Sequence, residues 1–240
     1  MSNARIFIPS SGPSDWRRLL GDPVRHWVPE RSAFECAVAW ESARHTARGV
    51  PKALANALDS YQSTANAELV IAIPELQVDL PGGGHPSQND VWALLRAGNE
   101  MVSLSVEAKA GEPLDRLVSE WLADASPTSG KPARLAFLRE SLGLQSVDVA
   151  GLRYQLLHRA VSALVQAERF RATIAILLIH SFGRDADEKS REDYQRFASA
   201  MSCAPAFNSV VPVGRQTKIP LLIGWVTDVP ASPEAVARAI

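Results

Sequence analysis

Between Asp90 and Lys109 the residues alternate so regularly about Gly98-Asn99 that a β-hairpin is the backbone that accommodates them. A two-residue turn at Gly98-Asn99, or a four-residue loop centred there, sets one register, with Asp90 opposite Glu107. Val91, Ala93, Leu95, Val102, Leu104 and Val106 then share a face that is apolar throughout. Asp90, Trp92, Leu94, Ser103, Ser105, Glu107 and Lys109 share the other. The hairpin, with strands over 90–96 and 101–109, is the frame for everything around it.

On either side the apolar pattern predicts further strands at 69–73, ended by Pro74, at 173–179 and at 221–226, and a short one at 5–8. Helices are expected over 114–124, 132–142, 152–169 and 188–201, and from Ser32 to about residue 45. Ser32 and Glu35 have capping-box spacing, and Ser14 is placed to cap a short helix beginning at Asp15. Strands framed by helices at both ends describe an α/β fold, a single domain over residues 1–240 with a mixed sheet flanked by helices. With 46% hydrophobic and 21% charged residues, the 240-residue chain has the composition of a folded protein.

The balance of 25 Lys+Arg against 26 Asp+Glu leaves a net charge of −1, so a nucleic-acid partner would require a local basic patch. Cys36 and Cys203 lie far apart in apolar contexts, which argues against a disulfide framework or a cysteine zinc site and predicts two buried free thiols. The first residues lack the apolar length of a signal peptide, and the run 174–179 is too short for a bilayer. A cytoplasmic protein is the expectation.

Side chains directly opposed in an antiparallel pair stand about 4.5–5.5 Å apart at their stems, so Asp90 and Glu107 repel unless something positive lies between them. A divalent cation is the natural candidate, because Mg²⁺ is commonly held by one or two carboxylates with water and phosphate completing its shell. Lys109, two residues past Glu107 on the same face, is placed to orient or deprotonate an attacking water or to stabilise charge on a phosphoryl group. The alternative is a non-catalytic binding or assembly module in which Lys109 neutralises the two acids.

The array Asn89-Asp90, apolar hairpin, Val106-Glu107-Ala108-Lys109, with a helix before and helices after, resembles the PD-(D/E)XK superfamily of restriction-endonuclease-like nucleases. The string from Pro81 through Gly82-Gly83-Gly84 to Asp90, the Glu107-x-Lys109 strand, the segment Arg153 to Arg159 and Leu222-Ile-Gly-Trp225 are also similar to a bacterial domain family of uncharacterised function. The superfamily resemblance implies a restriction-endonuclease-like mixed sheet, Mg²⁺ (or Mn²⁺) on Asp90 and Glu107, a catalytic Lys109, and DNA or another nucleic acid as substrate. Asn89 stands where the motif's proline would be. A further glutamate from the first core helix is implied, for which Glu41, sharing the core-side face of apolar Phe34 and Val38, is the candidate over Glu35, and a polar residue from a later helix, for which Gln155 is the candidate.

Other features carry weaker signals. The glycine loop lacks the Gly-Lys-Ser/Thr ending of a P-loop and reads as a flexible lead into the Asp90 strand. His85 reads as a loop residue. Arg153, His158, Arg159, Arg169 and Arg171 form a candidate phosphate-binding strip along one helix. His180-Ser181-Phe182-Gly183 lacks the first glycine of a nucleophile elbow, which excludes that motif. Trp92, placed beside Asp90, is a candidate for base stacking.

Overall fold

The structure is a computed structural model that describes residues 10–123, 125–126, 128–183 and 188–239. The predicted strand at 5–8 and Asp124 lie outside these. Six strands form one mixed sheet: β1 (Glu68–Val78), β2 (Ser87–Ala97), β3 (Glu100–Lys109), β4 (Ile174–Phe182), β5 (Val210–Pro212) and β6 (Leu221–Asp228). Their order is β1-β2-β3-β4-β6-β5. The first three make an antiparallel meander, β4 and β6 join in parallel, and β5 returns antiparallel to β6.

Helices cover both faces of this single α/β domain. α1 (Pro23–His26), α2 (Ser32–Ala43) and α3 (Lys52–Leu58) precede the sheet in sequence. α4 (Val118–Ala123), α5 (Lys131–Ser141) and α6 (Tyr154–Phe170) fill the crossover from β3 to β4. α7 (Glu188–Ala200) and α8 (Pro233–Ala239) complete the order. No helix among the described residues is long and apolar enough to cross a membrane.

The hairpin register is as the alternation predicts, with Val91 opposite Val106 and Arg96 opposite Met101. Val91, Ala93, Leu95, Val102, Leu104 and Val106 are all buried against α2 and α3. Trp92, Leu94, Leu177, Ile179 and Trp225 pack on the opposite side with Leu156, Leu157, Val161 and Leu164 of α6. The inward stripe of α6 follows its 3.6-residue period, and Arg171 ends the helix in the left-handed region at φ 54°.

Several expectations are corrected. Pro74 does not end β1: an edge strand tolerates a proline, and β1 runs on to Val78 through Glu75, which adopts φ 53°. Ser32 is the first residue of α2 rather than its cap; its N–H donates to Glu112, while Glu35 accepts from the N–H groups of Glu30 and Ala231. The segment expected to be helical from 114 enters α4 only at Val118. Ser14 lies inside a 3-10 helix (Pro13–Leu19) that follows Gly12. Trp92 is wholly buried, its Nε1 donating to Ser103 Oγ at 2.9 Å, and offers no face to a base. Cys203 is only half-buried.

The glycine loop is clamped rather than flexible. Arg134 of α5 donates to the carbonyls of Leu80, Pro81, Gly83 and His85. Gly130, at the start of α5, lies so close that a Cβ there would meet Gly82 O at 1.8 Å. Gly130→Ala is therefore expected to cost about 2–3 kcal/mol, because backbone must shift to admit it. Gly151→Ala, where a Cβ meets nothing within 4 Å, should change stability by less than about 0.5 kcal/mol. Urea denaturation of the two variants checks the contrast.

Candidate functional site

Glu107 lies near the end of β3 on the face covered by α6, and is almost wholly buried. Its Oε1 accepts from Lys109 Nζ at 2.8 Å and from Gln155 Nε2 at 2.7 Å, and its Oε2 accepts from Arg159 Nε at 2.7 Å. Burial opposes ionisation, yet Lys109 and Arg159 outweigh it and hold the Glu107 pKa below the usual glutamate value. Burial likewise works against the Lys109 charge, but Glu107 and Asp90 lift its pKa above the ordinary lysine value. Glu107 and Lys109 thus stand as a carboxylate and an ammonium.

Asp90 reaches this group by an irregular route. A regular strand would place Asp90 on the α6 side with Trp92 and put Asn89 on the other. Instead Asn89 shares the α6 side: its Nδ2 donates to Ser162 Oγ at 3.2 Å, and its Oδ1 accepts from Ser105 Oγ. Alternation is therefore broken between Asn89 and Trp92, and the β2–β3 ladder stops at Val91–Val106. Where the strands part, Asp90 Oδ2 accepts the Ala108 N–H at 2.6 Å. Asp90 still faces the charge of Glu107, but not from the face that simple alternation assigns it.

Burial, then the neighbouring carboxylates of Glu107 and Glu75, push the Asp90 pKa well above the usual range. Glu75 is the acid the sequence reading missed. It stands on β1 between Pro74 and Leu76, which pair with Val91 and Asn89. Its Oε2 accepts from Gln88 Nε2 at 2.6 Å. Burial first, with Glu107 adding, raises its pKa to about 7. On the other side of the sheet, burial lifts the Cys36 thiol pKa well above its ordinary value, and Asp90, Glu75 and Glu107 add to the shift.

Glu41, the expected extra ligand, is engaged elsewhere. Its carboxylate accepts from Ser10 Oγ at 2.6 Å and Trp16 Nε1 at 2.7 Å and pairs with Arg44 at 3.0 Å. Its buried face is as predicted, but its partners are those of a structural anchor. Gln155 does join the cluster, bridging Glu107 to the Asp115 N–H at 3.2 Å.

The expected phosphate strip dissolves into separate roles. Arg153 is buried against Asp193 at 2.6 Å, Arg159 against Glu107, and Arg169 lies over the Phe170 ring. His158 is held neutral, its pKa pushed well below the usual value by burial and then by Arg159 and Arg134. At the end of β4, Ser181 Oγ donates to Val226 O and accepts from Trp225 Nε1, so it has no nucleophile's geometry. His180 pairs with Asp228 at 3.1 Å.

A family model, that of a domain of unknown function (DUF6946), matches residues 9–230. No curated protein and no solved structure matches the chain.

Glu75 sets a pH dependence that can be measured. An acid that holds its proton more tightly in the folded chain stabilises the fold fully below its unfolded value near 4.5, and loses that contribution as pH rises through about 7. Glu107, shifted the other way, contributes above its unfolded value and loses that as pH falls. In the presence of EDTA, Glu75→Gln is expected to flatten the decline in unfolding free energy between pH 5 and 8. The gain at pH 8 should be on the order of 2 kcal/mol, the pKa shift discounted for partial exposure. Urea titrations at the two pH values check it.

Proposed function

The chain belongs to the DUF6946 family, and because that family carries no assigned reaction, we propose one from the site: metal-assisted hydrolysis of a phosphodiester. Asp90 and Glu107 would hold Mg²⁺ or Mn²⁺, and Lys109 would orient the attacking water. The charge balance carries this reading. Among the described residues, the cations set against Asp90, Glu75 and Glu107 are Lys109 and Arg159, and burial with mutual repulsion raises the proton affinity of the first two acids. The resemblance of Asp90 and Glu107-Ala108-Lys109 to the PD-(D/E)XK nucleases supports the same assignment.

The donor set suits a hard divalent cation. Among the described residues no three imidazole, thiol or carboxylate groups are gathered to hold a metal, so a closed protein cage is not what the fold offers. Two carboxylates with water and phosphate oxygens make up the usual Mg²⁺ shell. Glu107 Oε1 already carries two donors and Oε2 one, which leaves Oε2 the less saturated ligand atom. When bound, the cation supplies Lewis-acid polarisation of the phosphoryl oxygen and eases deprotonation of water.

The side chains divide the remaining work. Lys109 enters as an ammonium, so it orients water and stabilises negative charge rather than accepting a proton. Gln155 and Arg159 hold the Glu107 carboxylate in one orientation. Asp90, with its proton affinity raised by burial and by Glu107 and Glu75, is placed to hold a proton beside Glu107. The partner is DNA or another nucleic acid.

A second reading, a non-catalytic binding or assembly module, is favoured by one observation: Glu107 is already paired with two cations. Calorimetric titration with Mn²⁺ separates them. Hydrolysis requires that wild type bind the ion and that Asp90→Asn weaken binding at least about tenfold. Lys109→Ala should then retain the metal while cleavage of plasmid or single-stranded substrates falls by about 10²–10⁴-fold. No metal binding, with a loss of thermal stability in Lys109→Ala, would establish the module instead.

A further inference from the structure

Arg159 meets Glu107 with one nitrogen, and the hydrogen bonds at the other edge of its guanidinium account for that. Nε donates to Glu107 Oε2 at 2.7 Å, whereas a guanidinium and a carboxylate frequently close a fork of two parallel bonds. Nη1, at the opposite edge of the plane, donates to Ser87 Oγ at 3.1 Å and stands 3.3 Å from His158 Nδ1. Ser87 Oγ lies 2.8 Å from that same Nδ1, against 3.4 Å from the His158 carbonyl.

Donors and acceptors in this chain fit together in one way. A guanidinium can only donate, so a proton on His158 Nδ1 would set two donors face to face. Nδ1 is therefore the bare nitrogen and the ring carries its hydrogen on Nε2. The Ser87 hydroxyl gives its proton to Nδ1 and offers a lone pair to Arg159. Burial, and then the charges of Arg159 and Arg134, keep the imidazole neutral, as this pattern requires. The Tyr154 ring packs on it with 4.7 Å between ring centres.

The chain couples the two acids assigned to the metal. Ser87 is the first residue of β2, three before Asp90, and is almost wholly buried. His158 and Arg159 follow one another near the start of α6. One hydroxyl thus links the strand that carries Asp90 to the guanidinium that holds Glu107. Held from its far edge, Arg159 cannot turn in its own plane to bring a second nitrogen onto Glu107. A closed fork would add a second charge-assisted bond there, in competition with an incoming cation.

We propose that Ser87 and His158 are positioning residues of the metal site: they hold Arg159 in single contact with Glu107 and so leave that carboxylate open to the cation. The inference rests on the hydrolytic reading above and adds to it two residues that act through Arg159.

Calorimetric titration with Mn²⁺ tests it, on variants first checked for a cooperative melt. Ser87→Ala and His158→Phe should each weaken binding about tenfold, the usual scale for a residue that orients a ligand. Ser87→Thr, which keeps the hydroxyl, should stay within about twofold of wild type. In an Arg159→Lys background no fork can close, so adding Ser87→Ala should change affinity by less than about twofold. That coupling is what a general loosening of the fold would not produce.

Wild-type affinity in Ser87→Ala and His158→Phe, or an undiminished loss in the Arg159→Lys background, overturns the positioning role and leaves the hydrolytic reading intact. Absence of Mn²⁺ binding in the unmutated protein overturns both. Nitrogen NMR of wild type in EDTA adds a check that needs neither a variant nor a metal. The His158 Nδ1 resonance should be that of a bare nitrogen, and a protonated Nδ1 overturns the proposal.

Discussion

The carboxylate of Glu107 is the interaction on which the rest of the structure hangs. It sits at the end of a central strand, where ionisation is costly unless every oxygen is met by a donor. Lys109 comes from its own strand, and Gln155 and Arg159 come from α6 one helical turn apart, so one group ties the sheet to its covering helix. Removing one donor leaves a buried charge short of a partner, a change that in such settings costs about 3–5 kcal/mol. The same three contacts fix the orientation of the carboxylate.

Around that group the fold departs from regularity in two adjoining strands. Glu75 in the left-handed region of β1 and the broken alternation at Asn89–Asp90 in β2 lie side by side in the sheet. Asn89 is held by Ser105 and Ser162, which makes it an internal strut, while Asp90 is released to accept the Ala108 N–H where β2 and β3 diverge. A regular strand would have sent Asp90 under α6 with Trp92. The irregularity brings the Asp90 and Glu75 carboxyls within electrostatic range of Glu107, too far apart to share one ion among all three.

The hairpin was legible in the sequence because one face is apolar without exception, and a one-residue slip would have turned all six of its residues onto the side that carries Ser103, Ser105 and Glu107. Glu107 and Lys109 were legible for the same reason, being two residues apart on a strand, whereas Gln155 was singled out only by the resemblance to the nuclease superfamily. Glu75 was not, because Pro74 reads as a terminator unless the strand is known to lie at the edge. The true face of Asn89 depends on two serines far away in sequence, and no local pattern announces them. Glu41 was correctly predicted to turn inward, but burial alone does not say which donors wait there; Trp16, Ser10 and Arg44 claim it. Arg159 looked like a surface cation because a charged residue beside apolar neighbours is usually solvated.

Strand β1 has one further consequence. It is the outer strand of the sheet, the place where an exposed row of N–H and C=O groups invites a second chain to pair and starts aggregation. Its ladder slips between Leu69 and Ile71, Pro74 has no N–H to offer, and Glu75 turns the backbone out of the extended region. An incoming strand finds no long uninterrupted template there. The kink that gathers acidic side chains within the molecule also closes its border to other molecules, so straightening β1 would give up a guard against fibrous assembly as well as a charged site.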